Sequence, residues 1–179
     1  MLVSPEVLPR MTVKAYLEYE HSQEIRHELV DGYLYSMGGA SERHEQLSGN
    51  LFAALVVHLR GSNCRAYKSD LKVSVGDDFY YPDIFVACGE TQSSGYTRTD
   101  PVIIVEVLSP TTQRNDRGDK RLAYETIPSL QQYVLIWQDR MRVEARECKT
   151  GKVTILDTPD AQLQCDALDF AVTLARIYE

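Results

Sequence analysis

The sequence of 179 residues predicts an α/β or α+β fold, a sheet with helices packed on it. Three observations predict it. The runs "YYPDIFVA" and "PVIIVEVL" are almost continuously apolar over strand length, as strands buried on both faces are. The segment "SERHEQLSGNLFAALVVHLR" carries Leu47, Leu51, Leu55 and Leu59 four apart, which makes one apolar stripe on a helix that can cover such a sheet. After an N-terminal helix and hairpin, the patterns follow as helix, three strands, helix and strand.

Each element has a local cause. Thr12 is an N-cap for a short helix over residues 12–20, "TVKAYLEYE", whose apolar and aromatic residues fall at helical spacing. In "IRHELVDGYLYSM" the dipeptide Asp31-Gly32 separates two short strands, and its residue types suit a type I′ turn, which needs positive φ at both central positions. "GGAS" then breaks the chain. Ser41 caps the long helix, Glu42 and Glu45 sit near its positive end, and Gly61 ends it. Three strands follow, "CRAYKSDLKVSV", "YYPDIFVA" and "PVIIVEVL". A second helix runs through "RNDRGDKRLAYETI" and is stopped by Pro128. "LQQYVLIWQ" reads as a strand, "RVEARE" and "KVTILDT" as a hairpin around Thr150-Gly151, and "LDFAVTLARIYE" as a closing amphipathic helix.

The length suits a single domain spanning residues 1–179, with 44% hydrophobic residues to build its core. A net charge of -7 excludes a molecule-wide basic footprint, so any surface for nucleic acid is local. The four cysteines are widely spaced and form no C-x-x-C pair, which reads as reduced thiols in a cytoplasm rather than as a zinc site. No apolar run approaches the roughly 20 residues that span a bilayer, and the first residues have neither the basic start nor the apolar middle of a secretory leader.

Two acids stand out against this background. Asp83 follows Pro82 at the mouth of one apolar run, and Glu106 lies near the end of another. If the two strands are antiparallel neighbours joined by residues 89–100, Cys88 meets Pro101, and counting back pairs Asp83 with Glu106 on one face. Two carboxylates side by side repel unless a cation or a shared proton lies between them. Mg²⁺, commonly held by one or two carboxylates with waters and substrate phosphates, suits an open site of this kind. The helix that follows Glu106 places Asp116, Lys120 and Tyr124 four apart and starts near the end of that strand. Lys120 can therefore reach the acids and hold a phosphate or orient water.

"YPD", "VIIVEVLSPTT" and "DRGDKRLAYE" with "YVLIW" behind them resemble the PD-(D/E)XK nuclease superfamily, and within it the Uma family of restriction-endonuclease-like proteins. "RHELVDGYLY", "RHEQLSGNLFAAL" and the last hairpin and helix extend the resemblance over nearly the whole chain. The resemblance implies a restriction-endonuclease-like core with an added N-terminal helix and hairpin and a C-terminal hairpin and helix. It also implies a Mg²⁺- or Mn²⁺-dependent endonuclease acting on nucleic acid, DNA in the first instance, and working as a homodimer. Asp83 and Glu106 match the motif acids as metal ligands, with the Val107 carbonyl as a third. Leu108 stands where the superfamily pattern has lysine, and Lys120 matches the position on the following helix that this branch uses instead. Asp116 and Tyr124 also match that helix pattern. The alternative carried by the displaced lysine and the net acidity is a catalytically inactive module of the same fold, used for binding or dimerisation.

Further candidates are auxiliary. His44 opens the leucine-striped helix and either faces the sheet and the metal site or serves as a core-edge or capping histidine, and Glu28 can reach the site from the hairpin or pair with Arg26. Asp70 reads as a surface acid. Arg114, Arg117 and Arg121, with Lys120, Lys68 and Lys72, make a phosphate-binding patch if they share one cleft. Tyrosines 33, 35, 80, 81 and 96 serve packing first and base stacking second.

Overall fold

The structure is a computed structural model that describes residues 10–89, 95–109 and 118–179. Asp116, Arg114 and Arg117 lie outside the described residues.

The first helix, α1 (Val13–His21), is capped as its sequence predicts, with the Thr12 hydroxyl accepting from Ala15 N at 3.2 Å. The hairpin pairs β1 (His27–Val30) with β2 (Tyr33–Ser36). Asp31 and Gly32 both adopt positive φ, 51° and 79°, which is the type I′ requirement. The long helix α2 (Glu42–His58) follows, with the Ser41 side chain accepting from His44 N.

Two of the expected strands are divided. "CRAYKSDLKVSV" forms β3 (Cys64–Lys68) and β4 (Lys72–Val75), broken where Ser69 and Asp70 take positive φ of 45° and 50°. "YYPDIFVA" is cut by Pro82, which has no N–H for a ladder: β5 (Asp78–Tyr80) ends just before Tyr81, and β6 (Ile84–Cys88) begins just after Asp83. The remaining strands are β7 (Thr97–Arg98), β8 (Pro101–Leu108), β9 (Gln132–Trp137), β10 (Val143–Glu147), β11 (Val153–Leu156), β12 (Gln162–Cys165) and β13 (Phe170–Thr173). The described part of the second expected helix is α3 (Asp119–Glu125).

The closing helix is much shorter than its pattern suggests. α4 covers only Leu174–Ile177, because Phe170, Val172 and Leu174 alternate with an exposed Ala171 and the segment pairs with β12 as a strand.

A five-stranded sheet runs β2-β1-β5-β4-β7, a six-stranded sheet β11-β10-β9-β8-β6-β3, and β12 pairs with β13. Within the larger sheet β8 and β9 are parallel, whereas β6 and β8 are antiparallel. Its two faces have different covers. Leu47, Leu51 and Leu55 of α2 pack with Ile103, Val105 and Val107 on one face. Ile104 and Leu108 turn to the other, where Tyr124, Ile127 and Leu130 close over Tyr133, Leu135 and Trp137. Fully burying a leucine contributes about 1.5–3 kcal/mol, so Leu51→Ala in this tightly filled layer costs about 2–5 kcal/mol.

The expected cross-strand register holds at one end only. Ile84 pairs with Val105, so Asp83 continues into register with Glu106, but an irregularity between Val86 and Ala87 pairs Ala87, rather than Cys88, with Pro101. A bulge absorbs one residue there. The reading of reduced thiols is corrected for two of the four cysteines. Cys64 and Cys88 face each other across β3 and β6 and form a disulfide, a closeness that a separation of 24 residues conceals in the sequence. Cys148 and Cys165 are free. No helix among the described residues is long and apolar enough to cross a membrane.

Candidate active site

Asp83 stands where the chain passes from the smaller sheet to the larger one. With β6 not yet begun, its carboxylate is free to turn along the edge of β8, where Oδ2 accepts from Val107 N at 2.7 Å. His44, on the first turn of α2, donates from Nε2 to the same oxygen at 3.1 Å. That hydrogen bond holds the His44 pKa above its ordinary value, with burial opposing it. Oδ1 of Asp83 has no hydrogen bond from the described residues.

Glu106 reaches the site by strand parity. It lies between Ile104 and Leu108 on the α3 face of β8 and is 3% exposed. Oε2 accepts from Asp83 N at 3.3 Å, while Oε1 accepts from Tyr124 at 3.3 Å and lies 3.0 Å from Lys120 Nζ. Lys120 also lies 2.9 Å from Glu28 Oε1, so one ammonium bridges an acid on the hairpin and an acid on the central strand. Glu28 is fixed in turn by the Tyr81 N–H at 3.0 Å. Its partner is thus Lys120, not Arg26, which pairs with the exposed Asp70 at 3.2 Å. Tyr124 is fully enclosed, and burial drives its pKa upward, so it acts as a neutral donor to Glu106.

These groups line a cleft of about 660 Å³. The candidate residues Glu28, His44, Asp83, Glu106, Val107 and Lys120 all face it. Arg121 does not: it makes an i, i+4 pair with Glu125 at 2.8 Å on another side of α3. Lys68 does not line the cleft but pairs at 2.6 Å with Glu45, which does, and Lys72 is buried elsewhere. Gln138 and Ser109, not among the candidates drawn from the sequence, also line the cleft: Gln138 accepts from Ser41 at 2.7 Å, and Ser109 and Tyr81 add to the wall. The parallel pairing of β8 with β9 carries the signal for Gln138, because Leu108 opposite Trp137 brings the two strand ends together.

Among the described residues no three of histidine, cysteine, aspartate and glutamate converge as a closed metal cage. The donor set suits an open site instead, with two carboxylates, one carrying an uncommitted oxygen, beside a solvent-connected cleft. The Val107 N–H meets Asp83, and in an extended strand the carbonyl of the same residue faces the same neighbour.

A family model named Uma2, described as "Putative restriction endonuclease", matches residues 13–175. Two relatives from Synechocystis sp., each described as an "Uncharacterized protein", are 36% and 32% identical over 139 residues. The first match spans 76% of this chain and 73% of the relative, the second 75% and 78%. A crystal structure from Anabaena variabilis, described as "a putative nuclease belonging to DUF820", superposes with a TM-score of 0.73 at 16% identity over 94% of this chain and 97% of that one. At that identity the likeness shows the fold, which is restriction-endonuclease-like.

Proposed function

The chain belongs to the Uma2 family, and on that premise we propose that it is a divalent-metal-dependent endonuclease that hydrolyses phosphodiester bonds in nucleic acid, DNA in the first instance. The observation that carries the reading is the meeting of Asp83 and Glu106 at the strand ends, with Lys120 Nζ 3.0 Å from Glu106. Two adjacent carboxylates and a cation in an open cleft are the equipment for placing a phosphate beside an activated water.

Asp83, Glu106 and the Val107 carbonyl would hold Mg²⁺ or Mn²⁺, which when bound supplies Lewis-acid stabilisation of the phosphate and an acidified water. The chain's own groups do the positioning. His44 and the Val107 N–H fix one oxygen of Asp83 and leave the other available. Glu28 holds Lys120 at the cleft, where its ammonium donates to a non-bridging phosphate oxygen as negative charge grows. Tyr124 keeps Glu106 from turning away. A homodimer, presenting two clefts to two strands, extends the same proposal.

Supercoiled plasmid and single-stranded DNA incubated with the protein in Mg²⁺ or Mn²⁺, with EDTA controls and the Asp83→Ala and Lys120→Ala variants, test it. Cleavage that disappears in EDTA and in both variants is the expected result. Equal cleavage by all three proteins would mean a contaminating nuclease. A second reading, an inactive binding or dimerisation module, draws on the ion pair between Lys120 and Glu106, which neutralises that acid without a metal. Well-folded wild type that leaves both substrates intact would favour it.

A further inference from the structure

A second cleft, of about 650 Å³, opens on the far side of Tyr81, lined by Leu17, Glu20, His21, Lys72, Tyr81 and Tyr96 among others. Tyr81 is a wall of both clefts. Its N–H donates to Glu28 on the Lys120 side, and its hydroxyl donates to Glu20 on the other at 2.9 Å.

The polar groups here are unequally satisfied. Glu20, 2% exposed, accepts from the Tyr81 hydroxyl, from His27 N at 2.9 Å and from His27 Nδ1 at 3.1 Å. Lys72 is also buried, yet its Nζ makes one long hydrogen bond, 3.4 Å to the Tyr81 hydroxyl, and lies 5.4 Å from that ring's centroid. No carboxylate among the described residues forms an ion pair with it. An ammonium has three donors, so most of Lys72's capacity is uncommitted within the cleft wall. Burial lowers its pKa, with the charge of Glu20 opposing the shift. Nearby, Tyr96 presents an exposed ring, with its centroid 6.0 Å from that of His21 in an edge-on contact.

The ligand must match that chemistry. Glu18, Glu20 and Asp70 line the cleft against Arg26 and Lys72, three acids to two basic groups, a balance that disfavours a bare phosphate. A planar group with a π face for Tyr96 and acceptors on its edge for Lys72 is a nucleobase. Tyr81, two residues before Asp83, lines both clefts, so a base held in the second cleft adjoins the cleft that holds Asp83.

We propose that this second cleft receives an unstacked nucleobase next to the scissile phosphate, stacked on Tyr96 and hydrogen-bonded at its edge by Lys72. Guanine, with O6 and N7 side by side, is the best match. The inference rests on the nucleic-acid part of the functional reading above, and it makes the substrate a single strand or a locally opened duplex.

The test uses fluorescent eight-residue strands of abasic deoxyribose phosphates, carrying one guanine, one adenine or no base at the fourth position. Phosphate charge is then constant. Anisotropy titrations in EDTA give binding without cleavage, and thermal melts verify that Tyr96→Ala and Lys72→Met are folded. The guanine strand is expected to bind wild type about tenfold tighter than the baseless one, in line with one base–aromatic stack. Tyr96→Ala should abolish that gain, and Lys72→Met should remove the preference for guanine over adenine. Equal affinity for the three strands, no measurable binding of any, or a base preference untouched by both variants overturns the proposal. Adding Mg²⁺ and cleavable DNA separates the two readings: base-dependent binding without cleavage removes the nuclease and leaves this cleft, whereas metal-dependent cleavage without base-dependent binding does the reverse.

Discussion

Glu20 and Glu106 are buried almost equally, at 2% and 3% exposure, but they are held in opposite ways. Glu20 is closed off by three hydrogen bonds of 2.9–3.1 Å, two from His27 and one from Tyr81. Glu106 receives Asp83 N and the Tyr124 hydroxyl at 3.3 Å each, and its close partner is the ammonium of Lys120, which it shares with Glu28. One carboxylate ties elements together; the other shares an ammonium with a second acid at the wall of a cleft. Burial of an acid is therefore a poor guide to its role, and the identity of its donors is a better one.

Four experiments break or sharpen that contrast. Glu106→Gln should lower metal-dependent cleavage by about a thousandfold or more, with little change in melting temperature because Lys120 keeps Glu28 as its partner. Persistent cleavage would remove Glu106 from the chemistry. Lys120→Met should cost about 10²–10³ in rate at saturating substrate, and added Mn²⁺ should raise its melting temperature more than the wild type's, since Glu28 and Glu106 lose their shared cation. Equal shifts would argue against a metal beside these acids. Glu20→Gln faces an amide toward donors and should destabilise the fold by about 1–3 kcal/mol in denaturant titrations. An unchanged midpoint would mean that Glu20 does not tie α1 to the sheet.

The smallest effect is expected at Lys72. Burial holds its pKa below the ordinary 10.5, so between the lowered value and 10.5 the unfolded chain binds more protons than the folded one. Wild-type stability should rise with pH across that window relative to Lys72→Met, and below the window the variant should be equal or more stable. A variant that melts well below wild type at pH 7 would show that Lys72 serves stability.

Much of this site was legible because its distances along the sequence are short or periodic. Asp83 and Glu106 were placed in register by counting between two apolar runs, and the count holds where it matters because the bulge lies at the other end of the pair. Lys120 lies on the helix expected after β8, and the described helix, Asp119–Glu125, brings it to Glu106. Other features depend on contacts that no local pattern encodes. The break at Pro82 sends one apolar run into two sheets, and Phe170–Thr173 forms a strand because β12 is there to receive it. The Cys64–Cys88 bond arises from a cross-strand pairing. Lys72 sits in an unremarkable "KVSV", and its burial comes from Tyr81 and the α1 residues that close over it.

The passage through Tyr81, Pro82 and Asp83 has a mechanical consequence. These three residues carry the chain from β5 of the smaller sheet to β6 of the larger one, so a change in the angle between the sheets also moves Asp83. A small molecule wedged between the sheets would shift that carboxylate from Val107 and His44 without touching either. The crossover is therefore a lever through which inhibitors could act at a distance from the reacting groups.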